Sequence, residues 1–182
     1  KTAAGDGAKV FARTCSQCHG TYGPDGKYPN RVIPIDVVGT DPLRLTGLTK
    51  EFRSYFNRTW FAGNSSHSDE SPEGYVAPPL DGVWASAPYF HNGSVPTVYG
   101  VLTKGARPKY FRRVGAVAAY DVTDLGLKFE TLSGPASSDL APEARRRVID
   151  TTLPGLGNDG HPFGFALSEK EKRQVIEYLK TL

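Results

Sequence analysis

Methionine is absent from the 182 residues, cysteine and tryptophan occur twice each, and histidine four times. Without methionine there is no thioether to bind a metal, so metal chemistry falls to imidazole, thiolate or oxygen donors. Two cysteines are too few for a disulfide framework. No apolar stretch approaches the length of a membrane span. An excess of one charge is lacking too: 22 Lys and Arg against 19 Asp and Glu leave a formal +3, which gives no basis for a nucleic-acid or membrane partner. There is no internal repeat and no low-complexity tail. Glycine (20) and proline (14) are plentiful and predict long irregular connections.

Both cysteines fall in one pentapeptide, Cys15-Ser16-Gln17-Cys18-His19. Two thiols three residues apart, followed at once by histidine, form the attachment signature of a c-type haem. Each thiol adds to one vinyl group of the porphyrin, and the adjacent imidazole reaches the iron as proximal ligand. A zinc site would need further thiolates or a histidine pair at metal spacing. A thioredoxin-like pair would sit on a βαβ pattern, which is not seen. The sequence therefore predicts one covalent haem c on Cys15 and Cys18, with His19 on the iron. Covalent attachment takes place outside the cytoplasm, so a periplasmic or otherwise extracytoplasmic location is expected. Lys1 would then follow a removed signal peptide or a cut in a larger protein.

The flanks carry helical signals. Residues 3–14 read as a short helix, with Gly7 eight residues before Cys15 and Phe11 four before it. Ser168 with Glu171 is a capping box opening a run in which Val175, Ile176, Tyr178, Leu179 and Leu182 make one apolar stripe. Here the sequence resembles class I cytochromes c, in which a glycine and an aromatic at those offsets let the first and last helices cross closely. The expected fold is mainly α: one class I cytochrome c-like domain over 1–182, with a loop-rich insertion at roughly 63–165. Between the ends, Thr49 is read as the cap of a helix from Lys50 to Ala62 that carries Phe52, Tyr55, Phe56 and Trp60 as core aromatics. Another short helix is expected over Pro96–Thr103. Phe111–Val114 and Leu127–Glu130 are read as a small β-ribbon, Pro142–Arg147 as a helical turn, and Thr151–Phe165 as irregular. His67 lies in a polar loop and is read as solvated.

The stretch Pro88-Tyr89-Phe90-His91-Asn92-Gly93-Ser94, with Trp84 seven residues before His91, resembles the C-terminal haem domain of the bacterial di-haem cytochrome c peroxidase superfamily. That group includes the enzymes that mature methylamine dehydrogenase and the rubber oxygenases, and the rubber-oxygenase-like branch is the most similar. The resemblance continues through Gly39-Thr40-Asp41-Pro42, Asp150-Thr151-Thr152-Leu153-Pro154-Gly155 and Gly160-His161. Members carry two haems, whereas this chain has one attachment motif. Where the peroxidases place a ligating methionine and the maturing enzymes a tyrosine, this sequence has Lys104-Gly105. Peroxidase activity therefore does not transfer with the resemblance.

The sixth ligand is left to His161, His91, another side chain or an open position. The rubber-oxygenase-like branch implies a histidine shortly before the last helix, which His161 matches. His91 is the runner-up, and its plainer role is a hydrogen bond to a propionate or to backbone. Trp84 and His91 are candidate haem contacts; Arg31, Arg44, Arg53 and Arg107 are candidate propionate partners. A bis-histidine iron is closed and favours the ferric state more than a thioether would. The expected function is electron transfer to redox proteins by transient contact at the haem edge, without a catalytic residue. A haem peroxidase or oxygenase is the alternative if the iron is open, with His91 and Trp84 on its distal side. The electron-relay half of a longer di-haem enzyme is another, and a haem-based sensor a third.

Overall fold

The computed structural model describes residues 2–62, 73–115 and 119–182. In chain order the elements are α1 (Ala3–Thr14), α2 (Ser16–His19), β1 (Val32–Pro34), α3 (Ile35–Val38), α4 (Leu43–Thr46), α5 (Lys50–Asn57), β2 (Gly74–Val76), α6 (Val98–Leu102), β3 (Tyr110–Arg113), β4 (Tyr120–Asp121), β5 (Gly126–Leu127), β6 (Phe129–Thr131), α7 (Pro142–Arg145), β7 (Val148–Asp150) and α8 (Glu169–Leu179). His67 lies outside the described residues.

The two terminal helices start where their side chains cap them. Thr2 Oγ1 accepts the Gly5 N–H at 3.2 Å. At α8, Ser168 Oγ accepts from the Glu171 N–H, and the Glu171 carboxylate accepts from the Ser168 N–H at 2.9 Å, which satisfies orphan donors at the helix start. The helices then cross in contact. A Cβ on Gly7 would lie 1.9 Å from the Gln174 carbonyl oxygen, so only glycine permits this approach. Phe11 packs against Tyr178, and Arg13 pairs with Glu171. Val10 and Phe11 meet Val98 and Leu102 of α6 and Val175, Ile176 and Leu179 of α8 in the main core. Full burial of an aliphatic side chain contributes about 1.5–3 kcal/mol, so this three-helix layer supplies much of the stability.

The mainly-α class I expectation is overturned. The described residues are 38% helical and 14% strand, and the strands form three small sheets. β3 pairs antiparallel with β6, as the ribbon reading predicted, but β7 adds on its other side with Phe111 opposite Ile149. β1 and β2 form an antiparallel pair with Ile33 opposite Tyr75, and β4 pairs with β5. These strands are two to four residues long, and all but the β4–β5 hairpin are held by partners well removed in sequence, so local pattern hardly announces them.

Two helical expectations are also corrected. The 50–62 helix ends at Asn57 and gives way to a 3-10 turn at Trp60–Ala62. Its aromatics are not core: Tyr55 is 64% exposed and Trp60 82%, while Phe52 and Phe56 stack on each other. Helical spacing defines a face but not what covers it. The 96–103 helix begins at Val98, capped by Thr97 Oγ1 on the Gly100 N–H at 3.1 Å.

Candidate functional site

The pentapeptide is helical. The N–H groups of Cys18 and His19 donate to the Cys15 carbonyl at 3.1 and 3.0 Å. Cys15, Cys18 and His19 thus stand at i, i+3 and i+4, on one helical face. Cys15 packs on the main core, while Cys18 packs on a second cluster of Ile33, Val38 and Ala77. Burial, then the neighbouring Cys18, pushes the Cys15 thiol up to about 11, with Arg13 opposing, so it is a neutral thiol near pH 7.

His19 has a fixed tautomer. Its Nδ1 lies 2.8 Å from the Pro78 carbonyl, which can only accept, so Nδ1 carries the proton and Nε2 keeps a bare lone pair. A metal-binding imidazole is oriented in this way by its second nitrogen. Two tyrosines hold the 77–80 segment that carries Pro78. Tyr22 OH donates to the His19 carbonyl at 3.0 Å and accepts from the Leu80 N–H at 2.6 Å, and Tyr28 OH donates to the Ala77 carbonyl. Burial lowers the His19 pKa, against the opposing effect of the Pro78 carbonyl.

His161 comes to the same place from 142 residues away in sequence. Its ring centroid is 6.3 Å from that of His19. Two imidazoles at this spacing could both hold one metal, each through a metal–nitrogen bond of about 2.0 Å. Nδ1 of His161 is buried without a hydrogen-bond partner among the described residues, a polar atom that the protein does not satisfy. Burial, with help from the neighbouring His19 and Arg107, lowers its pKa to about 4, so the imidazole is neutral and in its ligating form. Phe90 and Phe163 flank it. Two neutral imidazoles 6.3 Å apart, beside two thiols on one helical face, are a donor set that fits a covalently attached iron porphyrin.

The backbone at His161 is strained and firmly held. His161 has φ +52°, a left-handed conformation costly for a side chain with a Cβ. Gly160 precedes it at φ +84°, and a Cβ there would lie 2.3 Å from the Gly39 carbonyl carbon. The His161 N–H donates to the Val38 carbonyl at 2.6 Å. Asp41 Oδ2 accepts from the N–H groups of Gly155 and Gly157 at 2.9 and 3.0 Å, and its Oδ1 accepts from Leu43. Asn92 Nδ2 donates to the carbonyls of both glycines, and Ser94 Oγ donates to Gly157 at 3.0 Å. The motif stretches around Asp41, Asn92 and Gly155 therefore meet in one clamp on the His161 loop.

Burial raises the Asp41 pKa, but three backbone N–H donors outweigh it and hold the carboxyl below its usual range. A depressed folded-state pKa adds stability that is present above the unfolded value, ~3.9, and is lost as pH falls through the folded value. D41N is expected to lower the melting temperature near neutral pH and to flatten its decline below about pH 4. Melting curves followed by circular dichroism check this; a variant with the wild-type slope would contradict it.

His91 and Trp84 stand apart from this pair. His91 stacks on Tyr75 at 4.3 Å between centroids, with Nε2 3.3 Å from the Tyr75 hydroxyl, and Arg44 donates to its carbonyl. Trp84 lies on a 3-10 turn, 47% exposed, and its carbonyl accepts from Tyr120 OH. Among the described residues no ring contact joins either side chain to His19 or His161. Sequence reading did not pick out Tyr22, Tyr28, Pro78 or the Asp41 carboxylate; a tyrosine four residues after the motif histidine's cysteine partner, in a turn-rich loop, gives no local signal of its target.

Residues 74–112 match the family described as RoxA-like, cytochrome c-like. The match spans Tyr75, Trp84, the His91–Ser94 segment and Arg107. Two proteins of Sinorhizobium fredii (strain NBRC 101917 / NGR234) are similar. Uncharacterized protein y4iJ is 29% identical over 240 aligned residues, covering 97% of this chain and 38% of y4iJ. Uncharacterized protein y4iM is 36% identical over 122 residues, covering 60% of this chain and 27% of y4iM. The chain thus spans less than two-fifths of the length of these relatives. No helix among the described residues is long and apolar enough to cross a membrane. The chain contains a cytochrome c-like region, which implies haem c as cofactor and a haem-binding, electron-transferring role.

Proposed function

We propose that the chain is an electron-transfer unit with one haem c, attached through Cys15 and Cys18 and closed by His19 and His161. The observation that carries this reading is that the His19 and His161 rings come within 6.3 Å, centroid to centroid, beside the two thiols of the helical pentapeptide. When bound, the haem supplies the one-electron change. The chain's residues do the rest. Pro78 fixes the His19 tautomer, burial keeps His161 neutral, and the clamp from Asp41, Asn92 and Ser94 keeps the His161 loop in place. A closed iron has no position for peroxide or oxygen, which argues for relay over catalysis. We place the protein outside the cytoplasm, where covalent haem attachment occurs, with redox proteins as transient partners.

A second reading is favoured by the relatives' lengths: this unit is the electron-relay half of a longer haem enzyme. Both readings share the closed iron. The test is the ferric absorption and EPR spectrum before and after cyanide and peroxide. A low-spin spectrum unmoved by either reagent is expected. A high-spin spectrum that shifts with either one would overturn the closed site and put a peroxidase or oxygenase first.

A further inference from the structure

We propose that Arg107 is the positioning residue of the sixth ligand and a fixed charge that raises the potential of this site; the inference rests on His161 as that ligand. The guanidinium is forked into four backbone carbonyls. Nη1 donates to Asn158 at 2.6 Å and Gly160 at 2.9 Å, the two residues flanking Asp159 just before His161. Nε donates to Gly100 at 2.8 Å and Nη2 to Val101 at 2.9 Å, both in α6. Phe90 and Phe165 cover the group, with its central carbon 4.9 and 5.1 Å from their ring centroids. One side chain thus ties the strained His161 turn to the helix that packs into the main core.

No carboxylate pairs with Arg107 among the described residues. Asp159, the carboxylate whose charge acts on Arg107, pairs with Lys104 at 2.9 Å instead. Carbonyl dipoles solvate the cation, and its positive charge stays next to the ligand loop. A fixed positive charge disfavours the extra charge of ferric iron, and so offsets the ferric preference of two imidazoles. Arginine is the residue for this geometry: its planar fork reaches carbonyls on two segments at once, whereas lysine offers three donors from a single point.

The test uses R107Q and R107K in the haem-loaded chain, with spin state, cyanide binding, redox titration and melting temperature as readouts. In R107Q the ferric spectrum is expected to gain a high-spin component that binds cyanide and that added imidazole returns to low spin. The ferric-to-ferrous ratio at a fixed potential should rise about tenfold, ~59 mV for a one-electron couple. R107K keeps the charge but not the fork; it should show the same ligand loosening with a smaller change in potential. If R107Q does not fold, the R107K spin state decides. A purely structural arginine would lower the melting temperature and leave the other readouts at wild-type values in both variants, which would overturn the inference. A wild-type protein that is itself high-spin would instead overturn the His161 reading, and this inference with it.

Discussion

Replacing both motif cysteines, C15S with C18S, is expected to abolish covalent haem altogether. In the wild type all haem should stay with the denatured polypeptide and resist acidic organic extraction. In the double variant none should. The thiols are one helical turn apart, on the face that also carries His19, so each could reach a different edge of a planar ring that this imidazole would hold. Their surroundings differ. Cys15 leans on the α1–α6–α8 core and Cys18 on the Ile33–Val38–Ala77 cluster, so thioethers at these positions would anchor the ring to both clusters. Single variants should each keep one thioether, with a reduced haemochrome band displaced toward that of non-covalent haem. Stability should fall with haem content, because a group that binds only the folded chain stabilises it by mass action. Denaturing gels stained for haem, with the haemochrome spectrum, measure the outcome. Haem that survives denaturation in the double variant would remove Cys15 and Cys18 from the attachment.

The parts of the site that were legible in the sequence are those written in a few neighbouring residues. Cys15, Cys18 and His19 sit inside one helical turn, and the capping box of α8 and the glycine of α1 announce the helices that cross at Gly7. His161 was reachable through the resemblance to the rubber-oxygenase-like branch, which implies a histidine shortly before the last helix. The clamp that holds it was not. Asp41 reaches Gly155 and Gly157 over 114 and 116 residues, and Arg107 reaches Asn158 and Gly160 over 51 and 53. A side chain that accepts or donates to a distant backbone leaves no periodicity behind, because any residue can supply the carbonyl or the N–H. The same cause misled the fold reading. β7 exists because Val148–Asp150 meets β3, and its own three residues carry too little pattern to be read as a strand. The aromatics assigned to the 50–62 helix carried the opposite error: strong helical spacing, yet Tyr55 and Trp60 stand largely exposed.

H161G should open the iron while leaving the fold in place, and it separates ligand from scaffold better than any other substitution here. Residue 161 has φ +52°, where glycine is at ease and a residue with a Cβ is not, so the backbone loses strain, ~1–2 kcal/mol, as the imidazole is removed. The loop keeps its clamp, since Asp41, Asn92, Ser94 and Arg107 all bond to residues 155–160. The His161 N–H to Val38 bond is backbone and survives as well. The haem-free chain should therefore melt at or above the wild-type temperature. The ferric haem-loaded protein should turn high-spin, bind cyanide at least a hundredfold more tightly, and return to low spin when free imidazole fills the space left by the ring. H91Q should do none of this, because His91 is engaged with Tyr75 away from the imidazole pair. Spectra of the two variants under cyanide and imidazole titration decide between them. Low-spin H161G together with high-spin H91Q would transfer the ligand to His91, and the 6.3 Å spacing of His19 and His161 would then have to be a packing contact of two neutral rings rather than the two sides of one iron.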